Sequence, residues 1–429
     1  MSINTSIGTL TRDDRVRILK ALTIRYTTNR GKSHSTINAY HIHDDEKTIS
    51  IPYAYARNSL CLDAPARKEF RNVSIRFEAD LRDYQKAIKK ETISRINSSG
   101  CCVLSLYCGF GKTVFAIYMA CKLRLPTLVL VNKVVLADQW RDRIQTTCPN
   151  ATVQFLKPKD QPNMEADFYI VNAINIPKIS AELLSGVGTL IVDELHLICA
   201  KTLHTAMLYL NPRYLIGLSA TPYRPDGLDA LINTYFGEFR LIKELNKAHT
   251  VYAIHTEFEI EFDYGMDGRI DWNSLLTSQS EHSERNQMIV DIVKHFRTRN
   301  FLILVKRISQ GKILLEMLRE CGEQATDLLG TKSTFDENAR ILVATSSKVG
   351  VGFSCDKLDT LVLASDLQEY FIQFLGRVFR RPDVEPIIFD IVDPHPSLKR
   401  HFASRKKVYK NVGGTVHRIS PLDISNIKT

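Results

Sequence analysis

The segment from Leu106 to Thr113, LYCGFGKT, constrains this chain more than any other. An apolar run, Cys101-Cys102-Val103-Leu104, precedes it, and a helical pattern, Val114 to Ala120, follows it. The order is strand, glycine turn, helix. Gly109 and Gly111 let the backbone turn tightly and aim its N–H groups at an anion. Cys108 and Phe110 complete that candidate cradle, and the helix N-terminus behind it adds positive dipole. Lys112 supplies a charge for β- and γ-phosphates, and Thr113 a hydroxyl for Mg²⁺. The full pattern G-x-x-x-x-G-K-[ST] requires Gly where this chain has Leu106. The motif alone therefore leaves a chance glycine-rich turn open, and the downstream residues must decide.

Bulk properties narrow the class. At 429 residues the chain has room for about three domains. Its 44% apolar and 24% charged content is that of a soluble globular protein. No apolar run approaches membrane-span length, which predicts no membrane partner. The N-terminus lacks the charged and apolar segments of a secretory signal. Nine cysteines without C-x-x-C or zinc spacing read as reduced thiols of a cytoplasmic or nuclear protein. Net charge is +10, which favours a polyanionic partner. From Pro394 to Leu422 the chain carries Lys399, Arg400, Arg405, Lys406, Lys407, Lys410 and Arg418 and no acid. This stretch, within 394–429, reads either as a solvated basic tail or as a phosphate-backbone contact.

Residues 1–75 carry no motif with evident chemistry. Thr48 to Tyr53 reads as a short strand stopped by proline, and the region is expected to be a small β-rich accessory domain. From Leu81 a helix runs to about Ile96, with Ser98-Ser99-Gly100 as its stop. Gln85 near its start is a candidate reader of an adenine edge, since its amide both donates and accepts. Pro126 to Lys133 is a buried strand entering a polar turn. Asn132 and Lys133 there are candidate phosphate contacts, because ligands of open α/β sheets bind at strand C-terminal ends. Trp140, inside the amphipathic helix that follows, reads as core. Thr189 to Val192 then leads into Asp193-Glu194-Leu195-His196. Two carboxylates at the end of a buried strand are costly without a task. Asp193 can hold Mg²⁺, and Glu194 can orient and deprotonate an attacking water. After a further strand come Ser219-Ala220-Thr221-Pro222, whose hydroxyls can bond those carboxylates.

GFGKT, DELH and SAT in this order resemble motifs I, II and III of superfamily 2 helicases and translocases. The second half fits the same resemblance. Phe301–Val305 resembles motif IV, and Arg340–Thr345 enters the motif V region. Gln373 to Arg380, QFLGRVFR, reproduces the Q-x-x-G-R-x-x-R pattern of motif VI. Arg377 and Arg380 lie at i and i+3 on one helix face and can neutralise a transferring γ-phosphoryl as arginine fingers do. Leu81–Gln85 and Ser219–Leu228 resemble the branch that holds XPB-type, restriction-type and large-DNA-virus (poxvirus transcript-release-type) members. Motif V departs from that pattern: Val351-Gly352-Phe353-Ser354 lacks the usual carboxylates, and little room remains after Pro222 for an XPB-type thumb.

The resemblance implies an α/β protein with two tandem RecA-like domains, at 76–240 and 241–393. It implies ATP and Mg²⁺ as cofactors and nucleic acid, DNA over RNA, as partner, with RNA polymerase or other transcription or repair proteins as further candidates. It also implies 3′-to-5′ tracking. The expected catalytic residues are Lys112, Glu194, Arg377 and Arg380. Gln85 and Gln373 join residues 108–113 around the nucleotide, and Thr113 and Asp193 hold the metal. His196, Ser219, Thr221 and Gly352 couple the site to movement, while Asn132, Lys133 and Thr345 touch the strand. The competing readings are an RNA helicase of the same fold, an ATP-switched clamp that does not translocate, and a translocating subunit of a restriction nuclease.

Overall fold

Two long apolar runs in each half of the chain have no polar alternation, which demands strands covered on both faces. A computed structural model describes residues 1–27, 34–43, 45–198, 204–220, 229–266, 268–350, 353–367 and 371–428. It divides into two units, Met1–Lys243 and Glu244–Thr429, each an α/β unit built on one seven-stranded sheet. No helix among the described residues is long and apolar enough to cross a membrane.

The first unit opens with strands β1 (Ser2–Ser6), β2 (Thr23–Thr27), β3 (His34–Asn38), β4 (His41–Ile42) and β5 (Thr48–Pro52), and helices α1 (Arg12–Leu22) and α2 (Tyr53–Ser59). β1, β5 and β4 form a small antiparallel sheet, and β2 pairs with β3. α1 starts at a reciprocal cap: the Thr11 hydroxyl accepts from the Asp14 N–H, and the Asp14 carboxylate accepts from the Thr11 N–H. The region is not set apart as expected. Ile3, Leu22, Ile51 and Tyr53 share one continuous core with Val103, Leu128, Leu190 and Phe236. The Tyr53 hydroxyl donates to the Arg213 carbonyl at 2.6 Å.

The large sheet follows, with α3 (Asp83–Ser99), β6 (Cys101–Leu106), α4 (Lys112–Leu123), β7 (Thr127–Val131), α5 (Val134–Thr147), β8 (Val153–Leu156), β9 (Phe168–Asn172), α6 (Ala181–Ser185), β10 (Thr189–Val192), α7 (Leu195–Ile198), β11 (Tyr214–Ser219), α8 (Asp229–Phe236) and β12 (Arg240–Lys243). Strand order is β12-β6-β11-β10-β7-β9-β8, and every pairing is parallel. Register aligns Ser219 with Ser105 and Val192 with both Gly217 and Leu130. The segments after β6, β7, β10 and β11 therefore emerge together at one edge of the sheet.

The second unit contains β13 (His249–His255), α9 (Trp272–Glu281), α10 (Ser283–His295), β14 (Phe301–Val305), α11 (Ile308–Glu320), β15 (Ala325–Leu328), β16 (Ile341–Thr345), α12 (Ser346–Val349), β17 (Thr360–Leu363), α13 (Phe371–Val378), β18 (Ile387–Val392), α14 (Pro396–Asn411) and β19 (Gly414–Ile419). Its sheet runs β15-β16-β14-β17-β18-β13-β19, again all parallel. The expected basic tail is corrected here: residues 396–411 form a helix, and 414–419 a strand along β13. The reason is Arg405, which the sequence shows only as one cation in a run. It is buried, and its guanidinium grips Asp390 of β18 through Nε at 2.9 Å and Nη2 at 2.8 Å. Nη1 donates to Asp366 at 2.8 Å, and the Tyr409 hydroxyl donates to Asp390 at 2.8 Å. A second buried pair, Arg285 with Asp393 at 3.1 Å, ties α10 to the end of β18.

Removing one partner of such a pair strands the other charge. Arg405→Ala is expected to destabilise the second unit by about 3–5 kcal/mol. Asp383→Ala, which breaks an exposed pair with Arg381, should cost no more than about 1 kcal/mol. Urea denaturation of both variants checks the contrast.

Candidate functional site

The site is built where β6, β7, β10 and β11 end. After Leu106 the chain turns through Tyr107–Phe110, with Gly109 exposed at φ 91°. Gly111 caps α4 at φ 84°, a left-handed conformation that favours glycine. A Cβ on Gly111 would stand 2.6 Å from Gln85 Nε2. Lys112 opens α4, and its ammonium donates to the Leu106 carbonyl at 3.1 Å. Thr113 follows on the first turn, half-buried, as is Cys108, while Phe110 is buried.

Gln85 is placed differently from the sequence expectation. It is buried, and its Nε2 donates to the carbonyls of Phe110 at 3.0 Å and Gly111 at 3.2 Å. Its Oε1 accepts from the Arg82 N–H at 2.9 Å. The amide spends both N–H groups on the loop, so Gln85 here is a strut that fixes the cradle to α3 rather than an amide presented to a base.

Asp193 and Glu194 follow β10. Burial, then the neighbouring Glu194 carboxylate, push the Asp193 carboxyl up to about 6; the Trp140 indole, the Lys112 ammonium and the Glu194 amide pull it down. Lys112 and Asp193 are thus near enough to feel each other across the loop. Trp140 is the residue that sequence reasoning left in the core. It is buried as expected, but its Nε1 donates to Asp193 Oδ2 at 2.8 Å. Only the neighbourhood of β7 and β10 could reveal this, since the two residues lie on separate helical and strand segments. Glu194 holds φ at 45°, a left-handed setting that costs a non-glycine residue about 1–2 kcal/mol. Its Oε2 is buried with no hydrogen-bond partner among the described residues. His196 Nδ1 lies 3.6 Å from that oxygen and 3.0 Å from Ser219 Oγ at the end of β11.

Asn132 and Lys133 follow β7 at the same edge, half-buried and exposed respectively. Thr221 falls outside the described residues, as does Gly352. In the second unit Thr345 ends β16, with its hydroxyl 3.3 Å from that of Ser347. Gln373 and Arg377 are buried on α13. Arg377 donates to the Phe353 carbonyl at 2.6 Å and to that of Gly350. Arg380 donates to Ser354 Oγ, to Asp356 at 2.6 Å and to the Phe353 carbonyl at 3.3 Å. Both guanidiniums therefore brace the described residues on either side, Gly350 and 353–356, with Ser354 and Asp356 as the side-chain partners of Arg380.

The residues present fit a nucleotide and a divalent cation. Asp193 and Thr113 are hard oxygen donors of the kind Mg²⁺ prefers, the loop leaves no room for a Cβ at Gly111, and the orphaned Glu194 oxygen is set to accept a hydrogen bond. Trp140→Phe keeps the ring but removes the N–H, so the Mg²⁺ concentration for half-maximal ATPase should rise about tenfold or more with the fold retained. Unchanged Mg²⁺ dependence would argue against this support. Gly111→Ala should abolish binding of a fluorescent ATP analogue while leaving far-UV circular dichroism unchanged.

Comparison with known proteins places this architecture. Residues 78–224 match the family described as "Type III restriction enzyme, res subunit". The chain is 42% identical over 425 residues to "Putative helicase 161L" of Invertebrate iridescent virus 6, covering 93% of this chain and 95% of that one. It is 26% identical to "Putative ATP-dependent RNA helicase L396" of Acanthamoeba polyphaga mimivirus over 84% of this chain and 74% of that one. Among solved structures, S. cerevisiae Dbp5 bound to RNA and ADP BeF3 shares the fold with TM-score 0.58 at 13% identity, covering 79% of this chain and 90% of that one. The two parallel sheets are those of tandem RecA-like domains, and the chain belongs to the family of helicases that iridoviruses encode, as an ATP-dependent enzyme.

Proposed function

We propose that the chain is a nucleic-acid-dependent ATPase that translocates on DNA, serving viral transcription or DNA repair. The convergence of Lys112, Asp193 and Glu194 at one sheet edge, with Glu194 Oε2 left without a hydrogen-bond partner among the described residues, carries this reading. The cradle of 108–113 binds the phosphates of ATP. Thr113 and Asp193 would hold Mg²⁺, which neutralises charge on the β- and γ-phosphates when bound. Glu194 accepts the proton of the attacking water as its oxygen bonds to the γ-phosphorus and the bond to ADP breaks. Lys112, Arg377 and Arg380 neutralise the charge that develops on the transferring group, and Gln373 lies on α13 with Arg377. The His196–Ser219 contact passes the state of the Asp193–Glu194 turn to the end of β11, with Thr221 and Gly352 continuing the coupling. Asn132, Lys133 and Thr345 touch the backbone of the tracked strand.

The net charge of +10 supports a polyanionic substrate. An RNA substrate is the second reading, favoured by the name of the mimivirus relative. Steady-state ATPase of wild type, Glu194→Gln and Arg380→Ala, with no nucleic acid, duplex DNA, single-stranded DNA and single-stranded RNA, tests both. Strong stimulation by DNA, lost at least about a hundredfold in Glu194→Gln, is the expected result. Greater stimulation by RNA moves the assignment to an RNA helicase. ATPase without displacement of a DNA triplex identifies a clamp, and no stimulation by any nucleic acid rejects the motor.

A further inference from the structure

Several arginines of the second unit pair with carboxylates. Arg285, Arg299, Arg340, Arg380, Arg381 and Arg405 all stand within 4.0 Å of an acid. The exposed face of α14 breaks this habit. Lys399, Lys406, Lys407 and Lys410 are exposed, as is Arg418 on β19, and among the described residues none of the five makes an ion pair. Arg405, the other half of the same sequence run, is turned inward on Asp390, so the helix itself is anchored and its outward cations are held in place.

Three of these cations converge. Register sets Arg418 opposite Ala253, on the side of the sheet where His255 meets α14. The His255 ring stands edge-on to Phe402 of α14 at 5.6 Å. Burial, then Arg418, Lys399 and Lys406, lower the His255 pKa, while Asp390 raises it. Asp390 is already engaged by Arg405 and Tyr409. β19 is the last strand of its sheet, so the corner is bounded by no further strand. Asp366 also meets α14, engaged by Arg405 and His401, and further acidic side chains lie on the segment after β13. Glu257, Glu259, Glu261 and Asp263 are exposed there, and that segment packs on the start of α14 through Ile260 and Leu398. They bound the cationic face at one end and leave the corner near Lys406 and Arg418 without an acid from this run.

Like charges gathered without counter-charge repel one another, and an incoming anion relieves that repulsion. Along α14, Lys399 to Lys410 spans roughly 16 Å at about 1.5 Å per residue, a length that matches a run of phosphates rather than a single ion. We propose that the corner where α14 and β19 meet around His255 is a second docking site for the phosphate backbone of the nucleic acid, separate from the contacts at Asn132, Lys133 and Thr345. This rests on the reading of the chain as a nucleic-acid-dependent motor. The site holds the substrate to the second unit and reads no sequence, as phosphate contacts in general do not.

The test compares wild type, the triple variant Lys399→Ala/Lys406→Ala/Arg418→Ala and its charge-conserving counterpart Lys399→Arg/Lys406→Arg/Arg418→Lys. Binding of labelled single-stranded and duplex DNA is measured between about 50 and 200 mM salt. Each lost phosphate contact lowers the salt slope by about 0.7–0.9. The alanine protein should therefore lose roughly 20- to 40-fold less affinity than wild type across that range, and should bind more weakly at the lower salt. The charge-conserving protein should follow wild type. ATPase without nucleic acid and at saturating DNA should stay unchanged, with only the half-saturating DNA concentration raised. The single variants Lys406→Ala and Arg418→Ala, each lowering the slope by about one contact, keep the test decisive if the triple variant melts early. Wild-type affinity and slope in the alanine proteins would overturn the proposal alone and leave the face to an acidic protein. Absence of any nucleic-acid binding by wild type would overturn the motor reading with it.

Discussion

A buried carboxylate pair at the end of an apolar strand is unfavourable by itself, and the candidate site of this protein is organised around making one tolerable. Asp193 has left water, next to another carboxylate, and its proton affinity has risen accordingly. Three elements answer this. α5 contributes the Trp140 N–H, the chain itself contributes the Glu194 amide at 2.9 Å, and α4 contributes the Lys112 charge. The left-handed turn at Glu194 lets the chain leave β10 with both carboxylates at the sheet edge. The offset is incomplete, since Glu194 Oε2 has no hydrogen-bond partner among the described residues. An incompletely satisfied acid beside a cation is what a site for phosphate, water and cation requires.

The second unit treats its buried carboxylates in the opposite way. Asp390 and Asp393 are fully buried, and each is met by an arginine and a hydroxyl: Arg405 and Tyr409 for one, Arg285 and Thr256 for the other. Neither carboxylate keeps an unengaged oxygen. Such pairs fix helices to strands, whereas the pair in the first unit keeps an acceptor without a hydrogen bond among the described residues. Buried charge alone does not separate a structural from a chemical role in this molecule; the degree of satisfaction does.

The same distinction explains what could be read from the sequence. The parallel strands were legible because covered strands need unbroken apolar runs, and Phe301–Val305 or Thr189–Val192 allow nothing else. The loop at 106–113 was legible because its chemistry is local. Gln85 was legible as a special residue but not in its task, since its partners Phe110 and Gly111 lie on another segment. Trp140 looked like any core aromatic because an indole N–H gives no sign of its acceptor. Arg405 was hidden among the cations of 394–422, since its counter-charges Asp366 and Asp390 lie outside that stretch. In each case the missing information was long-range pairing.

The shared core of the N-terminal region has a practical corollary for dissecting this enzyme. Ile3, Leu22, Ile51 and Tyr53 cover the same apolar surface that Val103, Leu128 and Leu190 present from the large sheet. A fragment trimmed to the motif-bearing part would leave that surface bare, and a wide apolar patch in water invites self-association. The first sixty residues thus act as a built-in solubility cover for one face of the ATPase sheet. A cut that respects the molecule's own seams falls after Lys243 rather than before residue 76.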